Sequence, residues 1–259
     1  MIGSIFVTGP AGTGKSTFCG AMKEWLEEQH FDAAVVNLDP GSDFIPYEAD
    51  IDIRDFISLG RIMEDYSLGP NGAQVVAADL MLEYADQIKS QLDELDDHYI
   101  IFDTPGQVEL FTFRQGSTML VDTLTEGRTM ICYLADSIVG SSPSGFIAQK
   151  MLLGSIFYRF FKPMIFIMNK SDLIDREIMD KIISWEADPE LLYDDFMDEK
   201  QNMVKQYYSG IIHAFSESGM INKIIPVSSQ NHTGFEDVYS EISNFFTGGE
   251  DVDTDYREE

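Results

Sequence analysis

The sequence is poor in cysteine, poor in positive charge and without a long apolar run. Cys19 and Cys132 are its only cysteines. Two thiols, one in a helical pattern and one in a strand pattern, exclude a disulfide framework and fit a reduced, cytoplasmic compartment. No apolar stretch reaches the roughly eighteen residues needed to span a bilayer. The first strand pattern begins at Ile2, which leaves no room for a signal peptide. His30, His98, His213 and His232 are scattered without metal-ligand spacing, against a zinc site. Lysine and arginine total 17 against 45 acidic residues, a formal charge of -28. Such a field repels phosphate backbones and anionic bilayers, so neither direct nucleic-acid binding nor membrane binding is expected. Much of the acid lies in residues 172–200 and after Phe246. Acidic runs are usually solvated faces or loose ends; a docking surface for a basic partner is the other reading.

Against these absences stands Gly9-Pro10-Ala11-Gly12-Thr13-Gly14-Lys15-Ser16, which fits G-x-x-x-x-G-K-[ST] at every fixed position. Ile2–Val7 before it reads as a buried strand, and Phe18, Met22, Trp25 and Leu26 after it give one apolar helix face. Glycines let successive N–H groups curl around phosphate oxygens, and the helix N-terminus adds a favourable field. Gly9, Gly12, Thr13, Gly14, Lys15, Ser16 and Thr17 are therefore the expected phosphate contacts. Lys15 would reach the β- and γ-phosphates, and Ser16 would ligate Mg²⁺.

Ala33–Leu38, Tyr99–Phe102, Met130–Leu134, Met164–Met168 and Lys223–Val227 read as further strands. Gly41–Tyr47 reads as loop and Ser67–Gly72 as a turn cluster. Helix is expected at Ile53–Leu59, Arg61–Tyr66, Ala73–Leu95, Leu110–Leu124, Phe146–Phe161, much of Arg176–Ser216, and Phe235–Phe246. On Ala73–Leu95 the inward face is read as Val76, Leu80, Tyr84, Ile88 and Leu92. Strands alternating with helices predict an α/β fold, a mostly parallel sheet with helices on both faces, in three layers. One domain over 1–247, with helical insertions near 41–98 and 176–218, and an acidic disordered tail over 248–259 are expected.

The motifs follow strand ends, where open α/β sheets bind ligands. Asp103-Thr104-Pro105-Gly106-Gln107 supplies an acid to hold Mg²⁺ through water (Asp103), an amide for the γ-phosphate (Gly106) and a side chain to orient water (Gln107). Asp39 can bond a nucleophilic water, or simply start an Asp-Pro turn. Glu109 is either similar or only a carboxylate matched to a helix dipole. Asn169-Lys170-x-Asp172 reads as a base site. The Asp172 carboxylate can accept from guanine N1–H and N2–H₂, a donor pair adenine lacks. Lys170 would cover the base plane, Asn169 would tie this loop to the phosphate loop, and Val227 and Ser228 would close the site.

These motifs in this order resemble the GPN-loop GTPases. Gly69-Pro70-Asn71 stands between the Asp39 and Asp103 strands, and Asp103–Leu110 is similar to the family's third guanine-nucleotide motif. The agreement runs from the first strand to Ser229. Length and short tail resemble the archaeal-type, self-pairing branch. The resemblance implies a homodimer of the nucleotide-bridged SIMIBI class, which includes signal-recognition GTPases and MinD-like ATPases. It departs from the MinD-like members, whose early phosphate-loop lysine is Pro10 here. It also implies that Asp39, Gln107 and Glu109 hold the attacking water and that Asn71 acts in trans. Arg114 is the one nearby arginine for a finger role. A client such as RNA polymerase, known for eukaryotic relatives, is implied by analogy alone.

The leading expectation is a Mg²⁺-dependent GTP hydrolase. A GTP-binding assembly factor with little hydrolysis shares the same loops. A nucleotide kinase would need a basic lid, which seven arginines scarcely provide. A Ras-like monomer would need an antiparallel hairpin before Asp103, where the pattern is largely helical.

Overall fold

Segments such as Ile5-Phe6-Val7 and Ile165-Phe166-Ile167-Met168 are apolar at successive rather than alternate positions. Strands of that kind must be covered on both faces, which is the condition of a parallel sheet. The computed structural model describes residues 1–125, 127–199, 210–212, 214–215 and 223–248. Its sheet has seven strands: β1 (Gly3–Thr8), β2 (Ala33–Asn37), β3 (Ile51–Asp52), β4 (Tyr99–Asp103), β5 (Thr129–Asp136), β6 (Met164–Asn169) and β7 (Ile224–Pro226). They lie in the order β3-β2-β4-β1-β5-β6-β7, and every pair is parallel.

Successive residues of each strand feed two separate cores. On one side Ile5, Val7, Val35 and Ile101 pack under α1 (Lys15–Glu28) and the closing helix α11 (Phe235–Phe246), through Phe18, Met22, Leu26, Val238 and Ile242. On the other side Phe6, Val36, Phe102 and Phe166 meet the remaining helices. These are α2 (Leu59–Tyr66), α3 (Pro70–Leu80), α4 (Ala85–Leu92), α5 (Val108–Thr112), α6 (Ser117–Thr125), α8 (Pro143–Phe160), α9 (Arg176–Ala187) and α10 (Pro189–Asp198); α7 (Ser137–Gly140) is a single turn after β5. Phe6 stacks on Phe102 with centroids 4.2 Å apart and planes 4° apart. Truncating such a ring to alanine costs about 3–5 kcal/mol. Lys150 of α8 and Glu186 of α9 form a buried ion pair at 2.6 Å between those helices.

Several boundaries differ from the sequence reading. Ile53–Leu59 is not an α-helix: Ile51–Asp52 extends the sheet edge, and only a 3₁₀ turn (Ile53–Asp55) follows. Residues 41–98 therefore contribute a strand as well as helices. The Ser67–Gly72 turn ends early, because Pro70 opens α3 at its first position with Gly69 as N-cap. Pro at N1 loses no hydrogen bond there, since that N–H has no partner inside the helix. Ala73–Leu95 is two helices joined by a 3₁₀ segment, Met81–Tyr84. Ala73, Ala77, Met81 and Ala85 are buried, as are the expected Ile88 and Leu92, while Val76, Leu80 and Tyr84 only border the core. Leu110–Leu124 breaks between α5 and α6. Much of residues 200–222 and the expected tail from 249 lie outside the described residues. Among the described residues no helix is long and apolar enough to cross a membrane.

Candidate functional site

The loop after β1 is shaped by its glycines. Gly9 has φ of 148°, and a Cβ there would sit 2.2 Å from the Leu134 carbonyl oxygen. Gly14 has φ of 90° and caps α1 without a side-chain hydrogen bond, so the first-turn amides keep no side-chain acceptor. A Cβ on Gly14 would meet Asn169 Nδ2 at 2.7 Å. Gly12 also has positive φ, with open space around it. Thr13 is buried, its hydroxyl donating to Pro10 O at 2.9 Å. Thr17 is exposed at the edge of a cavity described below.

Lys15 is buried and lies along this loop. Its Nζ donates to Gly9 O (2.9 Å), Pro10 O (3.1 Å) and Gly106 O (3.0 Å). Burial lowers its pKa, and the charges of Asp103 and Asp39 oppose the fall. Three carbonyls satisfy the ammonium's three donors, so the P-loop and the loop after β4 are joined through one side chain.

The strand order puts β2 and β1 on either side of β4, in register Asn37↔Asp103 and Val7↔Asp103. Asp39 and Asp103 therefore meet beside Lys15. Asp39 Oδ2 accepts from Gly106 N–H at 2.9 Å, and Oδ1 accepts from Gly41 N–H at 2.8 Å. Buried Asn37 fixes the backbone of Asp39, accepting its N–H at 3.0 Å. Asp103 Oδ2 accepts from the Tyr47 hydroxyl at 2.8 Å. Its Oδ1 is buried and has no hydrogen-bond partner among the described residues. Burial pushes the Asp103 carboxyl up to about 6, while the Ser16 and Tyr47 hydroxyls and the Lys15 charge restrain the rise. Burial also raises the Tyr47 phenol, with the Asp103 charge adding to it, so Tyr47 is a fixed donor. A desolvated, half-satisfied carboxylate beside a hydroxyl suits a hard cation. Among the described residues no cluster of three His, Cys, Asp or Glu gathers as a metal site. Mg²⁺ is commonly held by one or two protein groups plus phosphate and water, so Asp103 and Ser16 suffice.

A second centre lies where β6 and β7 end. Gly14, Thr17, Asn169, Lys170, Asp172, Leu173, Ser229 and Gln230 line a cavity of about 270 Å³. Asn169 Nδ2 donates to Thr13 O at 2.8 Å, and Asn169 Oδ1 accepts from the Ser229 hydroxyl at 2.9 Å. Asp172 Oδ1 accepts from the Ser228 hydroxyl at 2.5 Å. That bond leaves Oδ2 for a ligand and fixes the plane of the carboxylate. Val227 lies in the core; its N–H and C=O are bonded to Met168 O and Ser171 N–H. Lys170 Nζ donates to Gly12 O (2.6 Å) and Asp136 Oδ2 (2.7 Å).

A family model described as "Conserved hypothetical ATP binding protein" matches residues 7–248. GPN-loop GTPase 3 of Eremothecium gossypii is 32% identical over 251 residues, covering 95% of this chain and 92% of that protein. The GPN-loop GTPase 2 homolog of Dictyostelium discoideum is 32% identical over 220 residues, covering 81% and 70%. The crystal structure of an apo GTPase from Pyrococcus abyssi matches with a TM-score of 0.83 and 26% identity, covering 95% and 98%. The chain belongs to the GPN-loop GTPase family.

The GPN loop itself lies at the start of α3. Gly69, Pro70 and Asn71 are all exposed, and Asn71 makes no hydrogen bond among the described residues. One turn on, Gln74 approaches the Asp39 loop: a Cβ on Gly41 would be 2.9 Å from its Nε2. Gln107, the N-cap residue of α5, and Glu109 in its first turn are exposed too. So the P-loop, Asp39, Asp103 and Gly106 come together in one chain, whereas Asn71, Gln107 and Glu109 are exposed on its surface. Arg114 is not on a helix and is not free: its guanidinium pairs with both carboxylate oxygens of Asp79 on α3. Sequence reasoning gave no role to Tyr47, and noted Asp136 and Ser229 only as strand ends, Ser229 as context for the base motif. Asp136 and Ser229 stand at strand ends, the same signal that drew attention to Asp39 and Asp103; Tyr47 lies in a loop and carried none.

Proposed function

We propose that this GPN-loop GTPase binds Mg²⁺–GTP and hydrolyses it as a homodimer. The observation that carries the reading is the Asn169–Asp172 centre, tied to Thr13 of the P-loop on one side and to Ser228 and Ser229 on the other. Guanine presents N1–H and N2–H₂ as a donor pair, and Asp172 offers a planar, oriented acceptor; adenine lacks that pair and would forgo both bonds. This favours GTP, although the matching family model is described as ATP-binding.

The P-loop amides and Lys15 take the phosphates. Ser16 and Asp103 would hold the metal, which would neutralise charge on the phosphate oxygens. Asp39 Oδ2 accepts from the Gly106 N–H, the amide placed for a γ-phosphate, so its carboxylate stands beside that phosphate to bond water. Gln107 and Glu109 orient the same water, which attacks the γ-phosphorus as the bond to the β,γ-bridging oxygen breaks. Asn71, exposed and unbonded in its own chain, supplies its amide to the partner's phosphate without adding charge. A protein client, RNA polymerase for example, is proposed by analogy with eukaryotic relatives only.

Calorimetry with Mg²⁺ tests the base reading. GTP should bind at least about a hundredfold tighter than ATP, the scale of two charge-assisted hydrogen bonds. Asp172→Asn should erase that preference. Absence of GTP binding, or an unchanged preference in the variant, overturns it. Single-turnover hydrolysis by Gln107→Ala tests the water-orienting role, and a rate equal to the parent's would remove it.

A further inference from the structure

We propose that Asp136 is a positioning residue for purine binding, acting through Lys170. This inference rests on the base-site reading above. The sheet makes the encounter: β5 and β6 are neighbours, and their last residues, Asp136 and Asn169, are in register. The carboxylate after β5 thus comes to lie beside the lysine after β6.

Each polar group of Asp136 has a fixed partner. Oδ2 accepts from Lys170 Nζ at 2.7 Å. Oδ1 caps α7, accepting from Ile138 N–H (2.8 Å) and Val139 N–H (3.3 Å). The Asp136 N–H donates to Gln149 Oε1 and its carbonyl accepts from Gln149 Nε2, both at 3.0 Å. Gln149 is buried on α8. The backbone of Asp136 is therefore clamped by a core helix and one carboxylate oxygen by the α7 amides, so the other oxygen is held in place for Lys170.

What it holds is a strained residue. Lys170 has φ of 62°, a left-handed conformation that costs a non-glycine residue about 1–2 kcal/mol. A free lysine side chain also carries about 2 kcal/mol of rotamer entropy. The two bonds of its ammonium, to Asp136 and Gly12 O, lay the four-carbon stem along the cavity wall before any ligand arrives. Preorganisation of this kind raises affinity by removing an ordering cost from the binding step.

The competing explanation is that Asp136 only caps α7. Asp136→Asn separates the two, because asparagine caps as well as aspartate but does not offer the ammonium a second acceptor. The experiment is a double-mutant cycle with Lys170→Met, which keeps the stem and removes the ammonium. Dissociation of a fluorescent GDP analogue is measured with Mg²⁺ present, alongside thermal unfolding of each variant. Asp136→Asn should speed dissociation about tenfold in the parent, one charge-assisted hydrogen bond's worth, and less than twofold in the Lys170→Met background. Equal acceleration in both backgrounds, or none in the parent, overturns the proposal. If Asp136→Asn unfolds, Asp136→Ser replaces it, since serine caps the helix but is too short to reach Lys170. Asp172→Asn in the same assay keeps the two readings apart. If it leaves GDP dissociation unchanged, the base site is wrong; if it speeds release while the Asp136 cycle shows no coupling, only this inference fails.

Discussion

Asp103 offers a prediction whose sign and size come from its burial. Its carboxyl moves from the ordinary aspartate value of 3.8 to about 6 in the folded chain. The folded state therefore holds this proton more tightly than the unfolded chain does. That contribution to stability is complete below pH 3.8 and is lost as pH rises through about 6. A rise of about 2.2 units at 1.36 kcal/mol per unit gives a total loss of roughly 3 kcal/mol. About half of it falls between pH 5 and 7, above the sequence pI of 4.2, where the chain keeps a net negative charge. The assay is urea unfolding of metal-free, nucleotide-free protein at pH 5, 6 and 7, for the parent and for Asp103→Asn. Many of the 45 acidic residues also titrate, so the quantity of interest is the difference between the two chains. Asparagine keeps an acceptor for Tyr47, and any cost of its unpaired amide is independent of pH. The parent should lose on the order of 1 kcal/mol relative to the variant between pH 5 and 7. With Mg²⁺ and GDP the difference should vanish, because a cation now neutralises the carboxylate. Parallel curves without metal would refute the argument that burial raises the Asp103 carboxyl more than its partners lower it.

Mixing Lys15→Ala with Asn71→Ala protomers should restore activity that each homodimer lacks. At equal amounts half the dimers are mixed and each keeps one whole site of two, so about a quarter of parental turnover is expected; no recovery at any ratio counts against action in trans. Glu186→Ala should lower unfolding stability by about 3–5 kcal/mol, by leaving the buried Lys150 ammonium without its carboxylate. The paired replacement Lys150→Met with Glu186→Leu should recover most of that loss in urea unfolding, and a double variant as unstable as the single one would show that packing, not charge, sets the cost.

The chemistry at strand ends was legible because each motif carries its own local reason. Gly9 and Gly14 need positive φ, Lys15 needs a phosphate or three carbonyls, and Asp172 needs a donor pair, and each reason is written in a few consecutive residues. Tyr47 and Asp136 were not legible in that way. A lone tyrosine in a Gly- and Pro-bearing loop has no local signature, and its bond to Asp103 spans 56 positions. Asp136 is visible as a strand end, but its use depends on which strand lies beside it. The helix boundaries failed for a different reason. Residues 73–95 show apolar positions at steps of four on more than one face, and the 3₁₀ segment at Met81–Tyr84 chooses between them. Small alanines, Ala73, Ala77 and Ala85, face the core where Val76, Leu80 and Tyr84 were expected.

Net charge and local field point in opposite directions here, and the fold decides between them. A chain at -28 should repel a triphosphate, yet the phosphates proposed above would touch only the groups at the P-loop. There the structure gathers buried Lys15, the first-turn amides of α1 that no side chain caps, and the Gly106 N–H. Exposed acids farther away than about 8 Å are screened at physiological salt, whereas buried Lys15 is screened much less. The two nearby carboxylates are handled individually: Asp39 spends its charge on two backbone amides, and burial shifts Asp103 toward its neutral form. The same logic predicts that lowering ionic strength slows nucleotide association, since the distant acids are then felt, while leaving dissociation almost unchanged. Stopped-flow association at low and moderate salt reads this directly. A rate that rises as salt is removed would mean that the positive pocket, not the acidic surface, governs the approach.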